Sequence, residues 1–179
     1  MLYHLTEYKQ INPRLLMDLY AEGNEENAKD AMEENQNLPF ETALAQAEEG
    51  FLAFLRETFF SRPGSSYWIW EEAGIYLSAL RLSTIEPGFY YLEALETHPD
   101  YRRRGYAAGL LRAVIAELKK EGPFRICDCV HKKNLPSLAT HLACGFTVAS
   151  EAGIDYLYGG EVKDWSYGME YRYDALASL

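Results

Sequence analysis

The chain has 179 residues, 48% hydrophobic and 25% charged, with 27 acidic against 17 basic side chains and a formal net charge of −10 at pH 7. That size fits one domain spanning residues 1–179, able to bury roughly two thirds of the surface its unfolded form exposes, and the composition excludes a disordered or membrane-embedded chain. The acidic balance argues against non-specific nucleic-acid binding, because a polyanion meets repulsion over most of the surface.

Residues 1–20 mix Glu7, Lys9, Arg14 and Asp18 among apolar neighbours, a pattern foreign to signal peptides and membrane spans. Residues 2–8 read as a first strand and Pro13–Tyr20 as a helix. The polar stretch Gly23–Gln36 is either a loop or a solvent-exposed helix. Phe40–Phe60 carries apolar residues at Ala43, Leu44, Ala47, Phe51, Leu52 and Leu55, mostly three or four apart, which predicts a helix with one buried stripe. Arg62-Pro63-Gly64-Ser65-Ser66 breaks it. Strands follow at Tyr67–Glu71, Gly74–Ser83 and Phe89–Thr97, with connections short enough for antiparallel pairing.

From Ala107 the period changes to helical, with Ala108, Leu110, Leu111, Val114, Ile115 and Leu118 continuing the stripe until Lys119-Lys120-Glu121-Gly122-Pro123 ends it. A strand at Phe124–Val130 follows, so strand, helix and strand form a right-handed parallel crossover. Asn134 is placed to cap a helix running to about Cys144, with Pro136 in its first turn and Gly145 at its end. Phe146–Ala149 starts a further strand. The tail, with Tyr156, Tyr158, Trp165, Tyr167, Tyr171 and Tyr173, is expected to pair as a last hairpin across Gly159-Gly160. The fold class is therefore α+β, with a mixed sheet whose antiparallel half precedes one parallel crossover.

Cys127, Cys129 and Cys144 read as reduced core thiols of a cytoplasmic protein, the first two on one face of their strand. With only His131 beside them and no second thiol pair, no metal site is expected. His98 precedes Pro99 and reads as a turn residue; His4 reads as structural or exposed. Tyr67, Trp68 and Trp70 either fill core or line an acceptor cleft.

Against the acidic background, Tyr101-Arg102-Arg103-Arg104-Gly105-Tyr106-Ala107-Ala108 stands out. A loop with three guanidiniums and a glycine, opening a helix, offers free N–H groups and positive charge to an anion such as a diphosphate. Gly105 lets the backbone come close, and Ala107 and Ala108 leave room at the helix start. The spacing is neither a dinucleotide-binding fingerprint nor a P-loop. A solvated charged loop is the plain alternative.

Arg102-x-x-Gly105-x-Ala107, led in by Leu95-Glu96-Thr97-His98-Pro99-Asp100-Tyr101, resembles the central motif of the GCN5-related N-acetyltransferases, which move an acetyl group from acetyl-CoA to an amine. Asn134 and Gly145-Phe146 resemble the second signature of that family. The likeness covers about residues 67–150. It implies an acyl-CoA N-acyltransferase fold, with four antiparallel strands, then a parallel crossover, splayed at the cofactor site. It also implies that amides from Arg102 to Ala108, through Arg103, Arg104, Gly105, Tyr106 and Ala107, hold the CoA pyrophosphate. Leu95, Glu96 and Thr97 would admit the pantetheine arm, one amide there polarising the thioester carbonyl. Asn134 and Ser137 would contact pantetheine or the adenylate end.

Acetyl-CoA is the implied cosubstrate, with no metal, and the acceptor is an amine of a small molecule or an amino group of a peptide or protein. The family's usual tyrosine seven residues after the asparagine is replaced here by His141, a candidate acid for the leaving thiolate on the same helix face as Asn134 and Ser137. Glu93 and Glu96 are candidate bases, placed on opposite faces by alternation unless a bulge intervenes, and the resemblance favours Glu93. Asp128 is expected to have a partner or face an opening. Dimers are common in the family, and the tail hairpin is able to supply a homodimer interface. A non-catalytic CoA-binding member of the same fold and an unrelated phosphate-binding protein are the competing readings.

Overall fold

The computed structural model describes residues 1–174; residues 175–179, the end of the expected single domain, lie outside the described residues. A seven-stranded sheet in the order β1-β2-β3-β4-β5-β9-β6 organises it: β1 (Leu2–Leu5), β2 (Ser66–Glu72), β3 (Ile75–Glu86), β4 (Phe89–Thr97), β5 (Phe124–His131), β6 (Thr147–Ser150) and β9 (Ser166–Tyr173). The first four strands pair antiparallel, and β5 joins β4 in parallel. Between them runs α4 (Tyr106–Leu118), the expected crossover helix, which buries Leu110, Leu111, Val114, Ile115 and Leu118 against one face of the sheet. These join Trp68, Leu80, Leu82, Leu92, Ile126, Val130, Phe146 and Met169 in one core.

The opposite face is covered by α1 (Pro13–Leu19) and α3 (Phe40–Phe54), the latter ending in one π-helical turn over Leu55–Phe59 that sinks Leu55 and Phe59 into a second core. The polar stretch left open by the sequence is a helix, α2 (Ala21–Glu34). Its alanines and glutamates favour helix, but only Asn24 and Ala28, one turn apart, are buried, which is why the apolar period is so faint. Tyr67 is a core residue; Trp68 is buried too, though an edge of it lines a cleft beside His4 and Arg62, and Trp70 spends its indole N–H on Glu72.

The tail departs from the expected single hairpin. Gly153–Asp155 (β7) and Glu161–Lys163 (β8) do form a small two-stranded sheet across Gly159 and Gly160, both at positive φ. Tyr167, Tyr171 and Tyr173, however, belong to β9, which inserts between β5 and β6. Alternation on β9 and the apolar rings of Tyr171 and Phe124, 5.8 Å apart, favour that interior place over a local turn. The last helix, α5 (Leu135–Ala143), lies on the α4 side. Among the described residues no helix is long and apolar enough to cross a membrane, and no three His, Cys, Asp or Glu side chains are grouped to hold a metal ion.

Candidate active site

The parallel pairing of β4 with β5 covers only Phe89–Tyr91 against Arg125–Cys127; beyond it the strands part. In the same stretch β4 carries a bulge. Arg81 pairs with Glu93 and Ala79 with Glu96, so Ala94 and Leu95 together oppose Leu80. Ala94 takes a left-handed φ of 52° there, unusual for a non-glycine residue inside a strand. The extra residue reverses the alternation, and Glu93 and Glu96 face the same side. Two carbonyls of this irregular segment are held by hydroxyls: Tyr20 donates to Ala94 O at 2.8 Å and Ser78 Oγ to Glu96 O at 2.6 Å.

At the open end of the fork lies a groove of about 700 Å³. Leu95, Glu96 and Thr97 line it from β4, Arg102, Arg103 and Gly105 from the following loop, Tyr106, Ala107 and Ala108 from α4, and Asn134, Pro136, Ser137 and Thr140 from α5. Every residue assigned to cofactor binding from the sequence is therefore gathered here except Arg104, whose guanidinium lies over the Tyr101 ring at 5.1 Å.

Gly105 caps α4 at φ 82°, and Arg103 is also left-handed, at φ 60°. Alternating hands of this kind turn successive amides toward one centre. Among the described residues, no acceptor takes the amide of any residue from Arg103 to Ala108; the first amide of the segment with a partner is that of Gly109, bonded to Gly105 O at 2.8 Å. The arginine side chains contribute less than their number suggests. Arg102 is paired with Glu22 at the start of α2 and, at 3.3 Å, with Glu96. The anion-binding capacity thus resides mainly in main-chain donors and the helix terminus.

Asn134 caps α5, its Oδ1 accepting the Ser137 amide at 3.1 Å, which leaves the side-chain NH2 for a ligand. His141 does not line the groove. Its side chain is 1% exposed, Nδ1 donates to Ser137 O at 2.8 Å, and Nε2 lies 2.8 Å from Asp128 Oδ2 on β5. Burial alone would push its pKa down, but the Asp128 carboxylate and the Ser137 carbonyl outweigh it and the pKa is raised. Ser137 and His141 do share a side of α5, with Ser137 Oγ 3.4 Å from His141 Nδ1, but only Asn134 and Ser137 reach the groove, while His141 is sunk beneath it. Its ring is also the partner that Asp128 needs.

Glu93 sits on the other face of β4, enclosed with Arg81, whose Nη2 is 4.0 Å from Glu93 Oε1. The Arg81 guanidinium lies over the rings of Phe51, Phe54 and Phe59. Burial raises the Glu93 carboxyl above its ordinary value, with Arg81 and Arg62 pulling the other way. Neither Tyr20 nor Arg81 was marked by the sequence. Tyr20 showed only as the end of a helical stripe, and its hydroxyl contact spans 74 residues.

No curated protein matches the chain in a sequence comparison. Among solved structures, the PaiA N-acetyltransferase of Thermoplasma acidophilum in complex with coenzyme A superposes with a TM-score of 0.64 at 15% identity, covering 97% of this chain and 99% of that one. An IAA acetyltransferase from Bacillus cereus gives 0.61 at 14% identity with the same coverage. The ribosomal-protein-S18-alanine N-acetyltransferase of Escherichia coli gives 0.53 at 20% identity over 71% of this chain and 77% of its own. At such identities these likenesses speak to the fold, an acyl-CoA N-acyltransferase fold. The sequence match is independent of them and runs over residues 24–146, from α2 through the bulge, the arginine loop and α5 to Phe146. On that match, the chain belongs to the acetyltransferase (GNAT) family.

Proposed function

We propose that the chain is an acetyl-CoA-dependent N-acetyltransferase that passes the acetyl group directly to a primary amine of a small molecule, peptide or protein. The observation that carries this reading is the unbroken set of unpaired amides from Arg103 to Ala108 at the mouth of the β4–β5 fork. They would bind the CoA pyrophosphate, with Leu95 to Thr97, Asn134 and Ser137 along the pantetheine arm. In the transfer the amine nitrogen bonds the acetyl carbon and the C–S bond breaks. The proton of the ammonium passes to Glu93, directly or through water, and the second proton that the nitrogen sheds as the amide forms is relayed by water in the groove to the leaving thiolate. Glu93 suits the base role because its raised pKa brings it nearer neutrality. His141, with both ring nitrogens engaged, is assigned to holding α5 in place.

Titration with CoA, followed by thiol release from acetyl-CoA across a panel of a polyamine, an amino acid and a peptide amine, tests the reading. Binding with turnover on at least one amine supports it. Binding without turnover on a broad panel favours a non-catalytic CoA-binding role, and no binding overturns both.

A further inference from the structure

We propose that Tyr20 is a positioning residue that fixes the β4 bulge, and with it the aim of the strand-end amides at the thioester; this rests on the acetyltransferase reading. The bulge needs an outside support. Ala94 is left-handed without being glycine, and β5 has already diverged. β3 holds the flanks of the bulge, through the Arg81–Glu93 and Ala79–Glu96 pairs and the Ser78 hydroxyl on Glu96 O, but has no residue of its own for Ala94, which shares Leu80 with Leu95. The support found is the Tyr20 hydroxyl on Ala94 O.

The direction of that bond is settled by its surroundings. A carbonyl only accepts, so the Tyr20 proton points to Ala94, and the Tyr67 hydroxyl, 2.8 Å away, donates to the Tyr20 oxygen. Both phenols stay neutral across any working pH, burial raising Tyr67 to about 12 and Tyr20 well above its ordinary value. The ring of Tyr20 is held edge-on against Phe51 at 5.1 Å, so its hydroxyl has little freedom. Tyr20 is also the joint between α1 and α2, and two residues on Glu22 pairs with Arg102 of the phosphate-side loop. One helix junction therefore grips the groove at two points, the bulge and the loop.

Tyr20→Phe removes the hydroxyl and keeps the ring. The expected result is faster hydrogen exchange at the amides of Ala94 to Glu96 and a kcat lowered about tenfold or more, with the CoA dissociation constant and KM for acetyl-CoA within about twofold of the parent. Tyr67→Phe, which leaves the Tyr20 bond in place, should show a smaller change in both. Unchanged exchange at Ala94 to Glu96 in Tyr20→Phe overturns the proposal, as does a loss of CoA affinity as large as the loss of kcat. If the unaltered protein binds CoA but acetylates no amine, the enzymatic reading fails, and the tether itself is still decided by the exchange data.

Discussion

The two sides of the β4 strand end are built from different material. On the side of α4, the groove offers main-chain amides of one contiguous loop and helix start, Arg103 to Ala108. On the side of α1 and α3, the site is made of side chains: Glu93 of β4 itself, Arg81 from the neighbouring β3, and Tyr20, whose hydroxyl reaches Ala94 O from 74 residues away. A main-chain site tolerates side-chain change, because its donors are common to every residue but proline, and fails when the backbone path changes. A side-chain site behaves in the opposite way.

Asp128→Asn should give the largest effect on stability, and it marks how far the side-chain rule extends behind the groove. The change leaves the His141 imidazolium buried without its counter-charge, a loss of about 3 kcal/mol by the usual cost of breaking a buried pair. The folded pKa of His141 is raised above the ordinary 6.5, so the stabilisation is fully present below about pH 6.5 and fades as pH rises through the raised value. The difference in Tm between parent and variant should accordingly be widest near pH 6 and shrink toward pH 9. A difference that grows with pH would contradict the pair as described.

Gly105→Val attacks the main-chain side. At φ 82° a β-branched residue is strained, although no heavy atom lies within 4 Å of the position its Cβ would take, so the damage comes from the backbone path rather than a clash. CoA affinity is expected to fall by about a hundredfold, whereas Arg104→Ala, which removes a side chain stacked on Tyr101, should cost under about tenfold. Calorimetric titration with CoA distinguishes the two. Equal losses would mean that guanidinium charge, not the amides, supplies the binding.

Glu93→Gln tests the opposite face. Its expected outcome is a kcat lower by about a hundredfold with unchanged CoA affinity. Because the base must be ionised and burial raises its pKa, the parent's rate should fall as pH drops through a value above the ordinary carboxylate range. That acid limb should vanish in the variant. A full-rate variant would remove Glu93 from the chemistry and leave Glu96, which shares its face, as the remaining carboxylate.

The same division decides what was legible in the sequence. The loop Arg102 to Ala108, the cap Asn134 and the stop Gly145 are local devices, each written in adjacent residues, and the structure puts them where their chemistry suggests. The reversal that brings Glu93 and Glu96 to one face was open in the sequence only as a condition, since nothing in Leu92-Glu93-Ala94-Leu95-Glu96 marks Ala94 for a left-handed φ. The burial of His141 escaped for a related reason. Its place on α5 was correct, but its partner Asp128 comes from β5, and helix periodicity carries no information about the strand beneath. The insertion of β9 between β5 and β6 is likewise a matter of long-range pairing.

The smallest expected effect bears most directly on how the two sides are joined. Ala94→Gly puts at φ 52° the residue that adopts it without steric cost, so the folded state gains about 1 kcal/mol, offset in part by the freedom glycine adds to the unfolded chain. The net should be a Tm rise of about 1 to 2 °C. The rate should move the other way, because a glycine bulge samples more conformations and leans harder on the Tyr20 hydroxyl. In the Tyr20→Phe background, Ala94→Gly should therefore lower kcat by more than it does alone, a coupling that a double-mutant cycle reads directly. Additive effects would place the phenol and the bulge in separate roles, and the two faces of β4 would then act independently.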